Sequence, residues 1–241
     1  LDGAMGAPAV QGPVGMAAQF EGEPSSPVVV EIPPELRLGR GSWSFTAMLK
    51  PVRLAIESTQ PQRRIFSYGL YPKANLVMDV LESGQVTSYF CFERANGERV
   101  STGASTSLSL VQGQWAHVAL VCDRDRGRVA IYVNGYATGD VAIPAEFDGD
   151  FSLNGRLTIG SGWQNFWGLI DEVKLYRAAL TADAVEAEFA RLKAGFGVSE
   201  SEEIVAAKRT RRLATVFREV EEAWSDGAFE RVRELCGGVR D

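Results

Sequence analysis

The sequence predicts an all-β antiparallel sandwich followed by a charged α-helical appendage, and three observations carry that prediction. From about residue 25 to 176, short segments alternate apolar and polar residues with a period of two, the pattern of half-buried strands. Turn residues punctuate them, and Asn96-Gly97, Asn134-Gly135 and Asn154-Gly155 each offer the positive φ of tight turns. After Tyr176 the apolar spacing changes to three and four, and composition changes with it. All ten prolines lie at or before Pro144, and residues 198–241 carry 18 charged groups against 38 in the 197 residues before them. The chain therefore divides near Gly197, into a sandwich domain of residues 1–197 and a tail of residues 198–241.

Strands are expected at 28–32, 42–49, 64–69, 76–81, 86–93, 115–122, 129–134, 157–160 and 168–176. Segment 42–49 shows the alternation plainly. Trp43, Phe45, Ala47 and Leu49 share one face, and Ser42, Ser44, Thr46 and Met48 the other. Nine or more short strands with no helix between them imply two packed sheets. Thr181 can cap a helix to about Lys193, with Val185, Phe189 and Leu192 on one stripe and Gly195 and Gly197 ending it. Ser199 and Glu202 form a capping box for a longer helix to about Trp224, along which Leu213, Val216, Phe217, Val220 and Trp224 recur at helical spacing. Asp226 opens a last short helix, residues 229–236.

The net charge of −6, with no Lys/Arg cluster on an aromatic surface, leaves no electrostatic footprint for nucleic acid or an anionic membrane. No run of 18 apolar residues exists, so no membrane insertion is expected, and the first residues show no signal-peptide pattern. Cys91, Cys122 and Cys236 are too few for a disulfide scaffold or a cysteine-based zinc site. A Cys91–Cys122 bridge requires their strands to pair. The single histidine, His117, reads as a structural residue, and the Arg63-Arg64 and Arg124-Asp125-Arg126 stretches read as solvated loop charge and strand-end gatekeepers.

Residues 115–121 (Trp-Ala-His-Val-Ala-Leu-Val) and 127–135 (Gly-Arg-Val-Ala-Ile-Tyr-Val-Asn-Gly) resemble the hairpin of laminin G-like, concanavalin A-like jelly-roll domains. Residues 157–160, 166–176 and 179–181 resemble that family's closing strand and short helix, and residues 18–22 and 44–51 its opening strands. The matches run in the family's order over about residues 14–193. The resemblance implies a jelly-roll β-sandwich, and a secreted or extracytoplasmic protein of bacterial type. It also implies one structural Ca²⁺, with Asp171 as side-chain ligand, Gly22 as backbone ligand and Glu21 as a further candidate. The residues alone equally allow Asp171 to accept turn amide hydrogen bonds.

Function within this fold must be argued from the site. A retaining glycosidase needs two carboxyl groups about 5–5.5 Å apart. The nearest look-alike, Asp171-Glu172, places neighbouring carboxylates on opposite strand faces. With one histidine there is no multi-histidine metal centre, and no Gly-x-Ser-x-Gly elbow or phosphate loop is present. No catalytic residues are assigned. The ligand-binding candidates are Trp163, Gln164, Asn165 and Trp167, with Tyr136 and Asp140 bordering the same rim. Flat apolar faces beside amide groups match a sugar ring's apolar face and hydroxyls. The alternative is that the tryptophans close the sandwich edge or receive a C-terminal helix.

The leading expectation is thus a non-catalytic recognition module binding polysaccharide or glycan. A protein-binding adhesion or structural module, with residues 198–241 as interaction element, is the competing reading, and a glycoside hydrolase of the same fold a third. The tail either lays its apolar stripe on the sandwich or a neighbouring domain, or pairs with a partner helix or a second copy. Fewer than three clear heptads argue against a free-standing coiled coil.

Overall fold

The structure, a computed structural model, describes residues 7–21, 27–55, 62–71, 73–152, 155–160 and 165–237. In chain order the strands are β1 (Ala9–Gln11), β2 (Met16–Glu21), β3 (Val28–Glu31), β4 (Trp43–Pro51), β5 (Gln62–Leu70), β6 (Ala74–Leu81), β7 (Gln85–Glu93), β8 (Arg99–Thr102), β9 (Ser105–Ser109), β10 (Ala116–Asp123), β11 (Arg128–Val133), β12 (Tyr136–Ala142), β13 (Arg156–Ile159) and β14 (Trp167–Tyr176). Three helices follow: α1 (Ala182–Phe196), α2 (Glu202–Ser225) and α3 (Phe229–Gly237). The chain forms two compact units, Leu1–Val198 and Ser199–Asp241.

The first unit is a sandwich of two antiparallel sheets. One has the order β1-β2-β14-β4-β10-β11-β12; the other runs β3-β13-β5-β6-β7-β8, with β9 also paired to β7. The last strand, β14, pairs with β2 near the start of the chain, so both ends of the sandwich domain lie in the same sheet. Trp43, Phe45, Ala47 and Leu49 of β4 all enter the core between the sheets, as their alternation predicts. There Phe45 stacks on Phe66 of the opposite sheet, with centroids 4.0 Å apart, and Trp43 meets Phe90 edge-on at 5.5 Å. The Asn134-Gly135 turn joins β11 to β12 with φ of 50° and 76°. Asn134 also clamps β10, because its Oδ1 accepts the His117 N–H at 2.9 Å.

The outer face of β4 is not solvated. Ser44, Thr46 and Met48 are fully buried, because α1 and the chain leading to it lie across that face. Ser44 Oγ donates to the Ala178 carbonyl and accepts the Leu180 N–H. Thr46 bonds Glu188, and Met48 clusters with Leu192 and Phe196. Thr181 caps α1 by accepting the Ala184 N–H at 3.1 Å, and Gly197 (φ 61°) closes it. His117 is buried in this layer, 6.1 Å from the Phe189 ring.

Cys91 on β7 and Cys122 on β10 are both buried and lie in different sheets, so their strands do not pair and no disulfide joins them. Two expectations need correction. Arg64 forms a buried ion pair with Asp79, and Arg124 donates to the Phe147 and Gly149 carbonyls. These arginines anchor loops and strands and are not solvated charge. Ser201, not Ser199, caps α2, its Oγ accepting the Ile204 N–H at 3.3 Å. Among the described residues no helix is long and apolar enough to cross a membrane.

In the second unit, α2 turns at Gly227 (φ 70°) into α3, and Trp224 packs edge-on against Phe229 at 5.3 Å.

Candidate binding groove and the buried carboxylate

Trp167 opens β14, where that strand is held between β2 and β4. Its backbone stands opposite Glu21, and its carbonyl accepts the Val52 N–H at 2.9 Å. The half-buried indole lines an open groove of about 470 Å³ with Val10, Gln19, Glu21, Lys50 and Val52. The Arg53 and Arg63 guanidinium carbons lie 4.8 and 5.7 Å from the ring centroid, within cation–π range. Arg63 is fixed in turn by the carbonyls of Ala55 and Asn165. The groove thus offers an indole, an amide, a carboxylate and an ammonium on one rim.

The other ligand candidates separate. Asn165 is buried and pairs with Arg64 through an isolated bridge, so it stands beneath the rim. Trp163 and Gln164 lie outside the described residues. Tyr136 and Asp140 sit on β12, the opposite edge of the sheet. With β4, β10 and β11 between, they are about 19 Å from β14 at 4.8 Å per strand. Asp140 is held there by Arg128, whose Nη2 approaches its Oδ2 to 2.6 Å. The placement of these two on the Trp167 rim does not hold. Lys50, Gln19 and Val52 escaped sequence reasoning because only the β2-β14-β4 pairing brings them to Trp167.

Asp171 lies at a β-bulge. Opposite β4 the register slips between Asp171 and Lys174, and Glu172 takes φ 50°. Ile170 packs in the core, and Val173 and Leu175, partly buried, pack against it. The bulge breaks the alternation of β14 between Ile170 and Val173, so the burial of Asp171 does not follow from a period of two. Its Oδ1 accepts the Glu172 N–H at 2.8 Å, whereas its Oδ2 is buried without a hydrogen-bond partner. Burial pushes this carboxyl above the usual range, against the pull of the Glu172 amide. Burial also raises the Glu172 carboxyl, but Lys174 and Arg191 outweigh it and hold Glu172 below its ordinary value. Glu172 is thereby committed to ion pairs at 3.2 and 3.3 Å.

The residues fit a calcium ion only in part. Asp171 supplies a buried, unbonded oxygen of the hard type Ca²⁺ prefers. Glu21 pairs with Trp167 while Ile170 pairs with Ala18, so Glu21 stands four positions, about 13 Å, along β2 from the Asp171 level. Gly22 lies outside the described residues, and these hold no cluster of three or more His, Cys, Asp and Glu.

Comparison with known proteins places the architecture. No curated protein sequence matches the chain. Among solved structures, the binding domain of Paraclostridial Mosquitocidal Protein 1 superposes with a TM-score of 0.57 at 13% identity, over 77% of this chain and 46% of that one. The chain thus spans about half of that domain. Domain 4 of AbnA, a GH43 extracellular arabinanase from Geobacillus stearothermophilus solved with arabinotriose, gives 0.56 at 21% identity, over 76% and 85%. The Ruminococcus gnavus IT-sialidase CBM40 bound to α2,3-sialyllactose gives 0.50 at 15%, over 63% and 84%. These identities establish likeness of fold alone. A family model, in contrast, matches residues 28–186 directly. With that match over well more than half its length, and with the sheets described above, the chain belongs to the laminin G-like branch of the concanavalin A-like lectin/glucanase superfamily.

Proposed function

We propose that this chain is a non-catalytic glycan-recognition module whose binding face is the groove beside Trp167. The observation that carries the reading is the half-exposed indole at the mouth of that groove, with Gln19, Glu21 and Lys50 around it. An indole face takes the apolar side of a sugar ring, and the polar groups exchange hydrogen bonds with its hydroxyls. Arg53 and Arg63 brace the indole and fix its orientation. The sugars bound by the AbnA domain and by CBM40 support the ligand class. The commitment of Glu172 to Lys174 and Arg191 supports binding over catalysis, since it leaves no free carboxylate beside Asp171 among the described residues. The test is calorimetry and tryptophan fluorescence against a panel of polysaccharides and oligosaccharides. Trp167→Ala should weaken the bound glycan at least about tenfold with an unchanged melting temperature, and Tyr136→Ala should leave it unaltered. Binding that survives Trp167→Ala sinks the site, and a panel without a ligand sinks the function.

We further propose that Asp171 Oδ2 binds a structural Ca²⁺. The unpartnered buried oxygen supports this, with backbone carbonyls and water completing the shell in place of Glu21. Calcium should raise the melting temperature of the chelated protein and leave that of Asp171→Asn unchanged. Equal melting temperatures with chelator and with calcium remove the proposal.

A further inference from the structure

In the second unit, α2 carries an apolar stripe that reaches solvent. Phe217 and Trp224 are 67% and 63% exposed, and Phe229, packed against Trp224, is 59% exposed. Leu213, Val216 and Val220 complete the stripe at helical spacing. Large aromatic side chains exposed this far on one helix face mark an interaction surface.

The charge order along the same helix selects the occupant. Its first half carries Lys208, Arg209, Arg211 and Arg212 against Glu202 and Glu203, and its second half Glu219, Glu221 and Glu222 against Arg218, a net +2 and −2. Arg212 and Glu219 are seven residues apart, so they stand on the same flank of the stripe two turns from each other. When two such helices pack antiparallel, like flanks meet, and the basic half of each lies on the acidic half of the other. A two-fold axis near Thr215 and Val216 then brings Arg212 to Glu219 of the second copy, twice over. The same axis sets Leu213 against Phe217 and lays Trp224 over the small Ala206. In a parallel pair unlike flanks meet, so Arg212 does not come opposite Glu219 and both contacts are lost. We propose that α2 is a self-association helix whose partner is α2 of a second copy of this chain, packed antiparallel about that axis. Each contact occurs twice by symmetry, as an isologous interface requires.

The experiment is sedimentation equilibrium of the full chain, under reductant because Cys236 is exposed, at concentrations up to about 200 µM, where contacts of this size register. Wild type should move from 26.2 kDa toward twice that mass as concentration rises. Arg212→Glu and Glu219→Arg should each weaken the dimer about tenfold, because each sets like charges across both symmetric contacts. An equimolar mixture of the two single variants should associate again, and so should the double variant R212E/E219R. Circular dichroism checks that helix content is unchanged in each variant. A wild type that stays at 26.2 kDa overturns the proposal. So do single reversals that dimerise like wild type, and losses that neither the mixture nor the double variant restores.

Discussion

The Asp171 carboxylate has one oxygen satisfied by its neighbour's amide and one buried against Gly12, where a Cβ would come within 2.9 Å of Oδ2. Two predictions belong at this scale. Gly12→Ala should cost about 1–3 kcal/mol in denaturant unfolding, because the added methyl also meets Ala17 at 3.2 Å and has no flexible chain end to displace. The second concerns pH in calcium-free buffer. The folded pKa of Asp171 is raised above its unfolded value, so the folded state holds the proton more tightly. The ionised carboxylate therefore costs nothing below the unfolded pKa of about 3.9, and its cost grows as pH rises through the folded pKa. Wild type should lose stability relative to Asp171→Asn as pH is raised from about 3 to 7, read as the difference between their melting temperatures. A difference that is flat across that range contradicts the burial argument. Trp167 was legible in the sequence, as a tryptophan in front of a strand glycine. The bulge at Asp171 was not, since nothing in Ile170-Asp171-Glu172-Val173 marks Glu172 for a left-handed backbone.

At the scale of elements, the strands that bury one clear face were legible, β4, β10 and β11 above all. The strands β8 (Arg-Val-Ser-Thr), β9 (Ser-Thr-Ser-Leu-Ser) and β12 (Tyr-Ala-Thr-Gly-Asp-Val-Ala) have too few apolar residues to show a period, and their pairing to β7 and β11 holds them extended. The outer face of β4 misled for a different reason. Ser44 and Thr46 suit water, yet their hydroxyls are spent on Ala178, Leu180 and Glu188 once α1 covers them. Removing the cap of that helix by Thr181→Ala should cost about 1 kcal/mol of global stability, measured by urea titration. A larger loss is expected at Gly160, which ends β13 with φ 73° and lies under the Phe20 ring, where a Cβ would sit 2.1 Å from a ring carbon. Gly160→Ala should therefore destabilise by several kcal/mol, from backbone strain and overpacking together.

For the whole molecule, thiol chemistry offers a check on the sandwich. Cys122 is buried between the sheets, and that burial pushes its thiol up to about 12. Cys91 is buried as well, and Cys236 on α3 is exposed. Native protein should therefore release one equivalent with a thiol reagent at neutral pH, and three after denaturation. Fast reaction of Cys122 in the native state, located by peptide mapping, would mean that the sheets separate more readily than their packing implies. The sole imidazole has a related use. His117 lies beneath α1, beside Phe189, with its backbone gripped on both sides by Asn134. Because the chain contains no other histidine, any acylation by diethyl pyrocarbonate at imidazole, or any exchange broadening of its lone ring resonance, reports one event, the lifting of α1 from the sheet. The molecule carries its own gauge of that opening, readable without a label and without disturbing the groove at Trp167.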